Sequence, residues 1–458
     1  MSAYTLDLHD IQGIVLFAYA SMPCACYVHV SFGASPAREQ RQPAAPNAWL
    51  AGLMPDVHPA HRHARADGER VHVALSYPGL ARFGLSAQEL ASFPRELQEG
   101  MGHPLRARVL GDVGENAPER WELGGPGQPQ ADALVLLFAT DPGRLATLRA
   151  RLLGDLKSHG GTVLHEDVAE IHDPPQEPFG FKDGIGQPYV AGNPRSRRPH
   201  ESEVPAGEFV LGYPNAYGEQ PASPAGRNGF DLGKNGSYLV YRKLRQATET
   251  FWRAMLDAAE PPGDDAAATR LAASLVGRWP SGAPLVTHPE SDPGTTPEKP
   301  FGFLGEDPDG TRCPFGAHIR RANPRDMLAP SSDESLLEVG RHRILRRGRP
   351  YGPAISGTPR ERSRPDGSER GLIFLALNAS FRRQFEFVQQ TWLNNPKFAG
   401  LYDERDPLVS TYEGGPYTLP ASPARRRLPE LPRFVTVRGG GYFFVPGLRA
   451  LEWLARLA

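Results

Sequence analysis

Short apolar runs, bounded by turn-forming residues, recur along both halves of the chain. Their β-branched and aromatic composition and their length predict strands. In the first half these runs are 11–19, 26–33, 70–77 and 131–139. In the second half they are 208–213, 236–244, 370–380 and 433–447.

Helical spacing of apolar residues occurs between these strands. In 141–160, Leu145, Leu148 and Leu152 repeat at helical spacing after an Asp-Pro start, which predicts an amphipathic helix. Further predicted helices are 86–101, 245–256, 381–395 and 448–458. In 381–395, four residues form one apolar stripe that is more typical of core than of a site: Phe381, Phe385, Val388 and Trp392.

This alternation of strands and helices in both halves predicts two α+β domains. Three segments rich in proline, glycine and charged residues predict long loops, which in a compact enzyme often form the rim or lid of a site. They are 191–207, 214–235 and 352–370.

Composition and charge exclude several classes of protein. The chain has 458 residues with a net charge of −1, so no overall field favours nucleic acid or an anionic membrane. No apolar run approaches the ~20 residues of a membrane span. The opening MSAYTLDLHDIQG carries acids where a secretion signal carries basic residues, so we expect a cytoplasmic protein.

Cysteine usage argues against disulfides and zinc. The three cysteines are Cys24, Cys26 and Cys313, and no second cysteine pair completes a zinc site. Cys24 and Cys26 would share one face of a strand, which predicts small buried residues.

Asp183 is a lone carboxylate in the sequence GFKDG, within EPFGFKDGIGQPYV (177–190). By itself Asp-Gly indicates a turn, because Asp hydrogen-bonds its own backbone and Gly tolerates positive φ. A functional interpretation therefore needs a second feature elsewhere in the chain.

That feature is a histidine beside a dense arginine cluster. His318 lies in RCPFGAHIRRANPRD (312–326), and RHRILRRGRPYG follows at 341–352. The arginines of the two segments are Arg312, Arg320, Arg321, Arg325, Arg341, Arg343, Arg346, Arg347 and Arg349. Like charges repel, so such density predicts an anionic partner. Nucleic-acid phosphate and the two propionates of a haem both fit, and only a haem also uses a single histidine, as an axial ligand.

A haem held on one side by an imidazole leaves its other face open to peroxide. Cleavage of the O–O bond there needs a proton carrier and a positive charge, which one carboxylate and one arginine supply. Asp183 then has a chemical use beyond its turn.

With these residues in place, the chain resembles the dye-decolorizing peroxidase family, in its longer bacterial branch. GFKDG is similar to the family's G-x-x-D-G signature, CPFGAHIRRANPRD to its proximal-histidine segment, and RILRRGRPYG to its distal-arginine segment. DLHDIQGIVLFAY, FRRQFEFVQQTW and VRGGGYFFVPG are further similar stretches, in family order along nearly the whole chain.

The resemblance implies two ferredoxin-like domains, 1–178 and 179–458, with one haem b per chain bound mainly by the second. It implies His318 as the proximal iron ligand, Asp183 as the distal acid–base group and Arg346 as the distal arginine. Arg321 is expected to bind a haem propionate. The implied partners are hydrogen peroxide and aromatic electron donors, and a homo-oligomer stays open.

Two positions depart from the family pattern. Some relatives carry Asn or Ser two residues after the distal arginine, where this chain has Gly348. The proximal imidazole needs an acceptor for its second N–H. We expect an acid near 378–386, and since Ser380 stands where many relatives have Asp, Glu386 is the candidate.

Electrons from bulky donors would travel through aromatic side chains, for which Trp252, Trp279 and Trp392 are candidates. Two other functions stay open from the residues alone. One is haem handling, with removal of iron or of the macrocycle, against which Asp183 and a distal arginine argue. The other is a non-catalytic haem sensor or nucleic-acid module.

Overall fold

The computed structural model describes residues 5–33, 45–62, 68–296, 300–410, 414–421 and 423–457. The strands are β1 Cys24–Ser31, β2 Glu69–Leu75, β3 Ala133–Ala139, β4 Thr162–Glu170, β5 Tyr189–Val190, β6 Glu203–Val204, β7 Ser237–Gln246, β8 Leu345–Arg346, β9 Arg349–Tyr351, β10 Gly371–Asn378, β11 Gly414–Leu419, β12 Arg426–Pro432 and β13 Val435–Val445.

The α-helices are α1 Gly13–Leu16, α2 Pro46–Leu53, α3 Tyr77–Arg82, α4 Ala87–Leu90, α5 Arg95–Glu99, α6 Pro104–Leu110, α7 Pro142–Ser158, α8 Thr248–Ala258, α9 Asp265–Val276, α10 His318–Ala322, α11 Ser332–Gly340, α12 Pro359–Arg362, α13 Phe385–Phe387 and α14 Leu448–Ala455. A π-helical segment, Val388–Leu393, continues α13. Short 3-10 turns lie at Met54–Asp56, Ala60–Arg62, Gly114–Asn116, Pro118–Arg120, Ala206–Glu208, Arg227–Gly229 and Phe398–Gly400.

One sheet runs through both halves of the chain, in the order β4-β1-β3-β2-β13-β7-β10-β8, with β9 also paired to β10. The halves join where Leu75 of β2 pairs with Phe444 of β13. β9 also lies close to β4, so the sheet curves until its two ends meet, as in a barrel.

Each half has a ferredoxin-like strand order. In the first half the four strands stand in the order 4-1-3-2, and α2 and α7 follow the first and third strands. In the second half β7, β8 with β9, β10 and β13 repeat the order 4-1-3-2. The expected pair of ferredoxin-like units is therefore confirmed. The domain boundary at 178/179 falls in the connection between β4 and β7, and it stays a prediction.

The local sequence explains the elements that were predicted correctly. Asp141 caps α7 by accepting the N–H of Arg144, and Pro142 occupies the first turn. In β1, Cys24 and Cys26 point into one core and Tyr27 into the core on the opposite face, as a strand fully covered on both sides requires. Both cysteines are buried, as predicted.

Three predicted elements were wrong. Residues 11–19 contain the helical turn α1 instead of a strand. Residues 208–213 begin at the end of the 3-10 turn Ala206–Glu208 and continue as turns, not as a strand. The helix predicted over 86–101 divides into α4 and α5, because Pro94 has no N–H to continue the first helix.

Within the described ranges, no helix is both long enough and apolar enough to cross a bilayer.

Candidate functional site

A cavity of about 290 Å³ lies against the sheet of the second unit. Five apolar side chains from three neighbouring strands form one wall: Leu244, Leu372, Phe374, Val435 and Val437. Helices α9 and α10 and the π-helical segment contribute the facing apolar residues Val276, Ile319, Val388 and Leu393. A mostly apolar cavity with a few converging polar groups is typical of a cofactor site.

His318 begins α10 and lines this cavity. Its Nδ1 lies 2.8 Å from Oδ2 of Asp406, whose side chain is completely buried. Because a carboxylate only accepts, Nδ1 carries the proton of the neutral ring, which leaves the lone pair on Nε2. The other oxygen of Asp406 accepts the N–H groups of Leu408 (3.0 Å) and Val409 (2.8 Å), which fixes the carboxylate in place.

Burial and charge oppose each other in this pair. Burial lowers the pKa of His318, but the Asp406 carboxylate raises it by a larger amount, so that the pKa lies above the usual range. Burial raises the pKa of Asp406, but the imidazole of His318 and the N–H of Val409 lower it by a larger amount, so that the pKa lies below the usual range. Without a metal, the imidazole therefore holds a second proton, on Nε2, more tightly than usual, and a metal that binds Nε2 takes the place of that proton.

The prediction that Glu386 holds His318 was wrong. Glu386 accepts from Arg106 Nη1 at 2.9 Å and from the Tyr442 hydroxyl at 2.8 Å. Glu386 lies in α13 and is held by these two partners, whereas Asp406 belongs to a later loop. Asp406 stands in an Asp-Pro turn, which gives no sequence signal that separates it from an ordinary turn residue.

Asp183 and Arg346 line the same cavity and form an ion pair. Arg346 Nη1 donates to Asp183 Oδ1 at 2.8 Å, and Nη2 donates to the carbonyl of Ile185 at 2.8 Å. β8 places Arg346 at the edge of the sheet, and its backbone N–H donates to Gln187 Oε1 at 3.1 Å. The loop that carries Asp183 is thus bound to β8 at three points.

The Asp183 side chain lines the cavity, and about a third of its surface (36%) is exposed. Burial raises its pKa, whereas the Arg346 guanidinium and the N–H of Gly184 lower it, and the net pKa lies below the usual 3.8. Gly184 has φ +80°, so the turn interpretation of Asp-Gly and the functional one both apply here. The result is a carboxylate that is ionised near neutral pH beside a fixed positive charge.

Arg321 does not line the cavity, contrary to the expectation that it binds a propionate. Its guanidinium is fully buried and donates to the carbonyls of Trp392 (2.9 Å), Asn395 (3.0 Å) and Glu404 (2.6 Å). The side chain therefore ties α10 to two backbone segments, 392–395 and the loop at Glu404.

Besides Arg346, four arginines line the cavity. Arg242 forms an ion pair with Asp112, and the other three are Arg278, Arg325 and Arg343. Each donates to one backbone carbonyl, those of Gly282, Phe301 and Gly186 respectively. In the described part of the chain, none of them has a carboxylate within ion-pair distance. Burial lowers the pKa to about 9 for Arg278 and Arg343 and to about 10 for Arg325.

Arg278 is buried and Arg325 and Arg343 are half-buried, and guanidinium groups in such surroundings are costly without a counterion, so this cluster favours a bound dianion. An imidazole with a free lone pair, an apolar slot and a dianion site are the groups that a haem requires. The residues present fit a haem. Arg325 and Arg343 belong to the arginine cluster noted in the sequence, whereas Arg278 lies outside it.

Gly348 lies where β8 leads into β9, and it packs against β10. A Cβ at this position would stand 2.4 Å from the carbonyl oxygen of Ile373, so any side chain is excluded.

The three tryptophans considered as electron carriers are all at least 95% buried: Trp252, Trp279 and Trp392.

No protein-family model matches this chain. Over 436 residues it is 31% identical to the multifunctional dye peroxidase DyP2 of Amycolatopsis sp., and the alignment covers 88% of each chain. Over 301 residues it is 35% identical to the dye-decolorizing peroxidase AauDyP1 of Auricularia auricula-judae, covering 60% of this chain and 55% of that relative.

The fold is similar to the crystal structure of a fungal DyP-type peroxidase from Auricularia auricula-judae. The TM-score is 0.79 at 26% sequence identity, over 99% of this chain and all of the other.

Proposed function

This chain belongs to the dye-decolorizing peroxidase family, and on that premise we propose that it is a haem-dependent peroxidase. It would reduce hydrogen peroxide and oxidise dyes, phenols or other one-electron donors. One observation carries the proposal: a carboxylate-bound imidazole and a carboxylate–guanidinium pair line the same apolar cavity.

His318 would hold the iron through Nε2, the nitrogen that its pairing with Asp406 leaves free. Asp406 keeps the ring oriented and increases the basicity of the imidazole. Arg278, Arg325 and Arg343 would bind the two propionates, which replaces the sequence-based assignment of that role to Arg321. One haem b per chain would use both the imidazole of His318 and this arginine cluster.

A haem held by these residues would supply the two-electron reduction of peroxide and the one-electron oxidation of the donors. Asp183 moves the proton: Oδ1 is occupied by Arg346, so Oδ2 accepts a proton from hydrogen peroxide and returns it to the departing oxygen. Arg346 stabilises the negative charge that develops as the O–O bond breaks.

The overall balance is one hydrogen peroxide and two reduced donors to two waters and two oxidised donors. Arg346 is already fixed by Asp183 and by Ile185, so this charge needs no rearrangement during the reaction. The cytoplasmic location and a homo-oligomer remain predictions from the sequence.

The test is a spectrum of the purified protein after reconstitution with haem, followed by addition of hydrogen peroxide. We expect a Soret band at one haem per chain, a rapid spectral change with peroxide, and turnover of both a bulky dye and a small phenol. A protein that binds no haem, or that binds haem and releases its iron without oxidising a donor, would contradict the proposal. The second outcome would favour haem handling.

A further inference from the structure

Glu177 is a second carboxylate in the wall of the haem cavity, on the same loop as Asp183. It is not needed in the steps assigned to Asp183 and Arg346. Its backbone N–H donates to the carbonyl of Phe181 at 2.9 Å, which closes the loop into a tight turn before Asp183.

The Glu177 carboxylate accepts three N–H groups. Oε1 accepts from the backbone of Phe181 at 2.9 Å, and Oε2 accepts from the backbone of Phe179 at 3.0 Å and from Gln246 Nε2 at 2.6 Å. Since each oxygen has two lone pairs, Oε1 keeps one acceptor position. The geometry therefore fixes the carboxylate and leaves it a place for one proton.

Glu177 also lines a second, smaller pocket of about 30 Å³. The lining of this pocket includes His172, Asp173, Pro353 and Ala354. Asp173, Pro353 and Ala354 are exposed, so the pocket reaches the protein surface. A volume of this size accommodates about one water. Glu177 thus stands between the haem cavity and the solvent-facing pocket.

We propose that Glu177 is a proton-relay residue, which takes protons from the outer pocket and delivers them to the haem cavity during reduction by donors. The proposal rests on the proposed peroxidase function. It differs from the role of Asp183, which shuttles one proton within peroxide and returns to its starting state.

The proton balance explains the need for such a residue. Formation of two waters from peroxide requires two electrons and two protons in the cavity. A donor too bulky to enter is oxidised at the surface, and its proton is released to solvent there. Each electron that reaches the cavity therefore needs one proton by a separate route. Glu177 accepts a proton at Oε1 from the outer pocket, releases it into the cavity, and is regenerated as a carboxylate.

The environment of Glu177 suits this exchange. Burial raises its pKa to about 7, the three N–H donors oppose the rise, and the negative charge of Asp183 adds to it. Arg362 from α12 interacts with Glu177 through its charge. His172 and Asp173 face it across the outer pocket, and Lys182 lies on its own loop. Because its pKa is near neutral, Glu177 both gains and loses a proton readily, whereas Asp183 stays ionised.

The experiment compares Glu177→Gln with the wild-type holoenzyme in two separate steps, with the exposed Glu219→Gln as a matched control. We expect the reaction with peroxide to change by no more than about twofold and reduction by a bulky dye to slow by about 10²-fold, the usual contribution of a positioned proton-transfer group. In wild type the reduction step should slow as the pH rises through about 7, since the protonated fraction of Glu177 falls, and this dependence should vanish in the variant.

Two further readouts separate a relay from a structural role. A small permeant acid whose hindered nitrogen cannot ligate iron, 2,6-lutidinium, should restore reduction in Glu177→Gln but leave wild type unchanged. In the haem-free protein, infrared titration should show a protonated carboxyl band that disappears near pH 7 in wild type and is absent in Glu177→Gln. Glu219→Gln should match wild type in every measurement.

Gln246→Leu keeps Glu177 but removes one N–H donor to its ionised form, so the pH midpoint of reduction should move upward. This variant tests the relay if Glu177→Gln fails to fold. Unchanged reduction in Glu177→Gln, or a midpoint that Gln246→Leu does not move, would overturn the relay while the peroxidase function stands. A wild-type holoenzyme that does not react with peroxide would instead overturn the proposed function.

Discussion

Replacing Asp406 by Asn is the sharpest test of how the chain prepares His318 to bind iron. The substitution keeps the shape of the side chain and removes its charge. In wild type both carboxylate oxygens accept hydrogen bonds, one from His318 Nδ1 and one from the N–H groups of Leu408 and Val409. An amide has one oxygen and one NH₂, so it cannot accept on both sides.

The variant has two arrangements available, and both are costly. With the amide oxygen toward His318, the NH₂ group opposes the N–H groups of Leu408 and Val409. Each buried donor left unpaired costs about 1–3 kcal/mol, or about 2–6 kcal/mol together. With the oxygen toward the backbone, the NH₂ group donates to Nδ1, and the imidazole proton moves to Nε2, the nitrogen that must bind iron.

The second arrangement leaves fewer buried donors unpaired, so we expect the wrong tautomer of His318 in Asp406→Asn. Loss of a carboxylate partner of this kind typically weakens metal binding by about 10–100-fold, which is ~1.4–2.8 kcal/mol. The tautomer can be read from the ¹⁵N shifts of His318 in the haem-free protein, and the affinity from titration with haem.

A buried carboxylate in the other unit provides the control. Asp132 also accepts from a backbone N–H, that of Phe32, and from the hydroxyl of Ser31. Asp132→Asn should lower the free energy of unfolding without changing the affinity for haem. If Asp406→Asn keeps the proton on Nδ1 and binds haem as wild type does, the argument from hydrogen-bond accounting is wrong.

Three further predictions concern the other predicted site residues. Asp183→Asn should keep haem and slow the reaction with peroxide by about 10²–10⁴-fold, measured by stopped-flow spectra. Because the folded pKa of Asp183 lies below 3.8, the wild-type rate should persist on acidification and fall only below about pH 4; a loss centred near neutral pH would contradict this assignment. His318→Ala should bind haem much more weakly, with partial recovery in added imidazole, and an unaltered iron spectrum would reject ligation. Arg321→Leu should lower the melting temperature, since three buried carbonyls lose their donor, while haem affinity persists; the reverse result would return Arg321 to the propionate role.

The residues that local chemistry makes unusual were found in the sequence. Asp183 stands out in a glycine-rich segment, and His318 stands out beside a cluster of arginines. The strands β1, β2, β3, β7, β10 and β13 follow from apolar composition and turn signals, because those rules act over a few residues. β4 gave no such signal, since seven of its nine residues are partly buried or exposed and polar residues occur on both faces.

Partnerships across the chain needed the tertiary structure. Asp406 lies 88 residues from His318 and Asp183 lies 163 from Arg346, so no local rule connects them. Arg321 and Arg325 carry the same charge four residues apart, and only the tertiary structure decides that Arg325 lines the cavity and Arg321 does not. The amino-acid sequence by itself determined the fold class and the groups available for catalysis. The packing of α10, the late loop and β8 around one cavity decided which of these groups act together, because hydrogen bonds and burial depend on distances in space rather than along the chain.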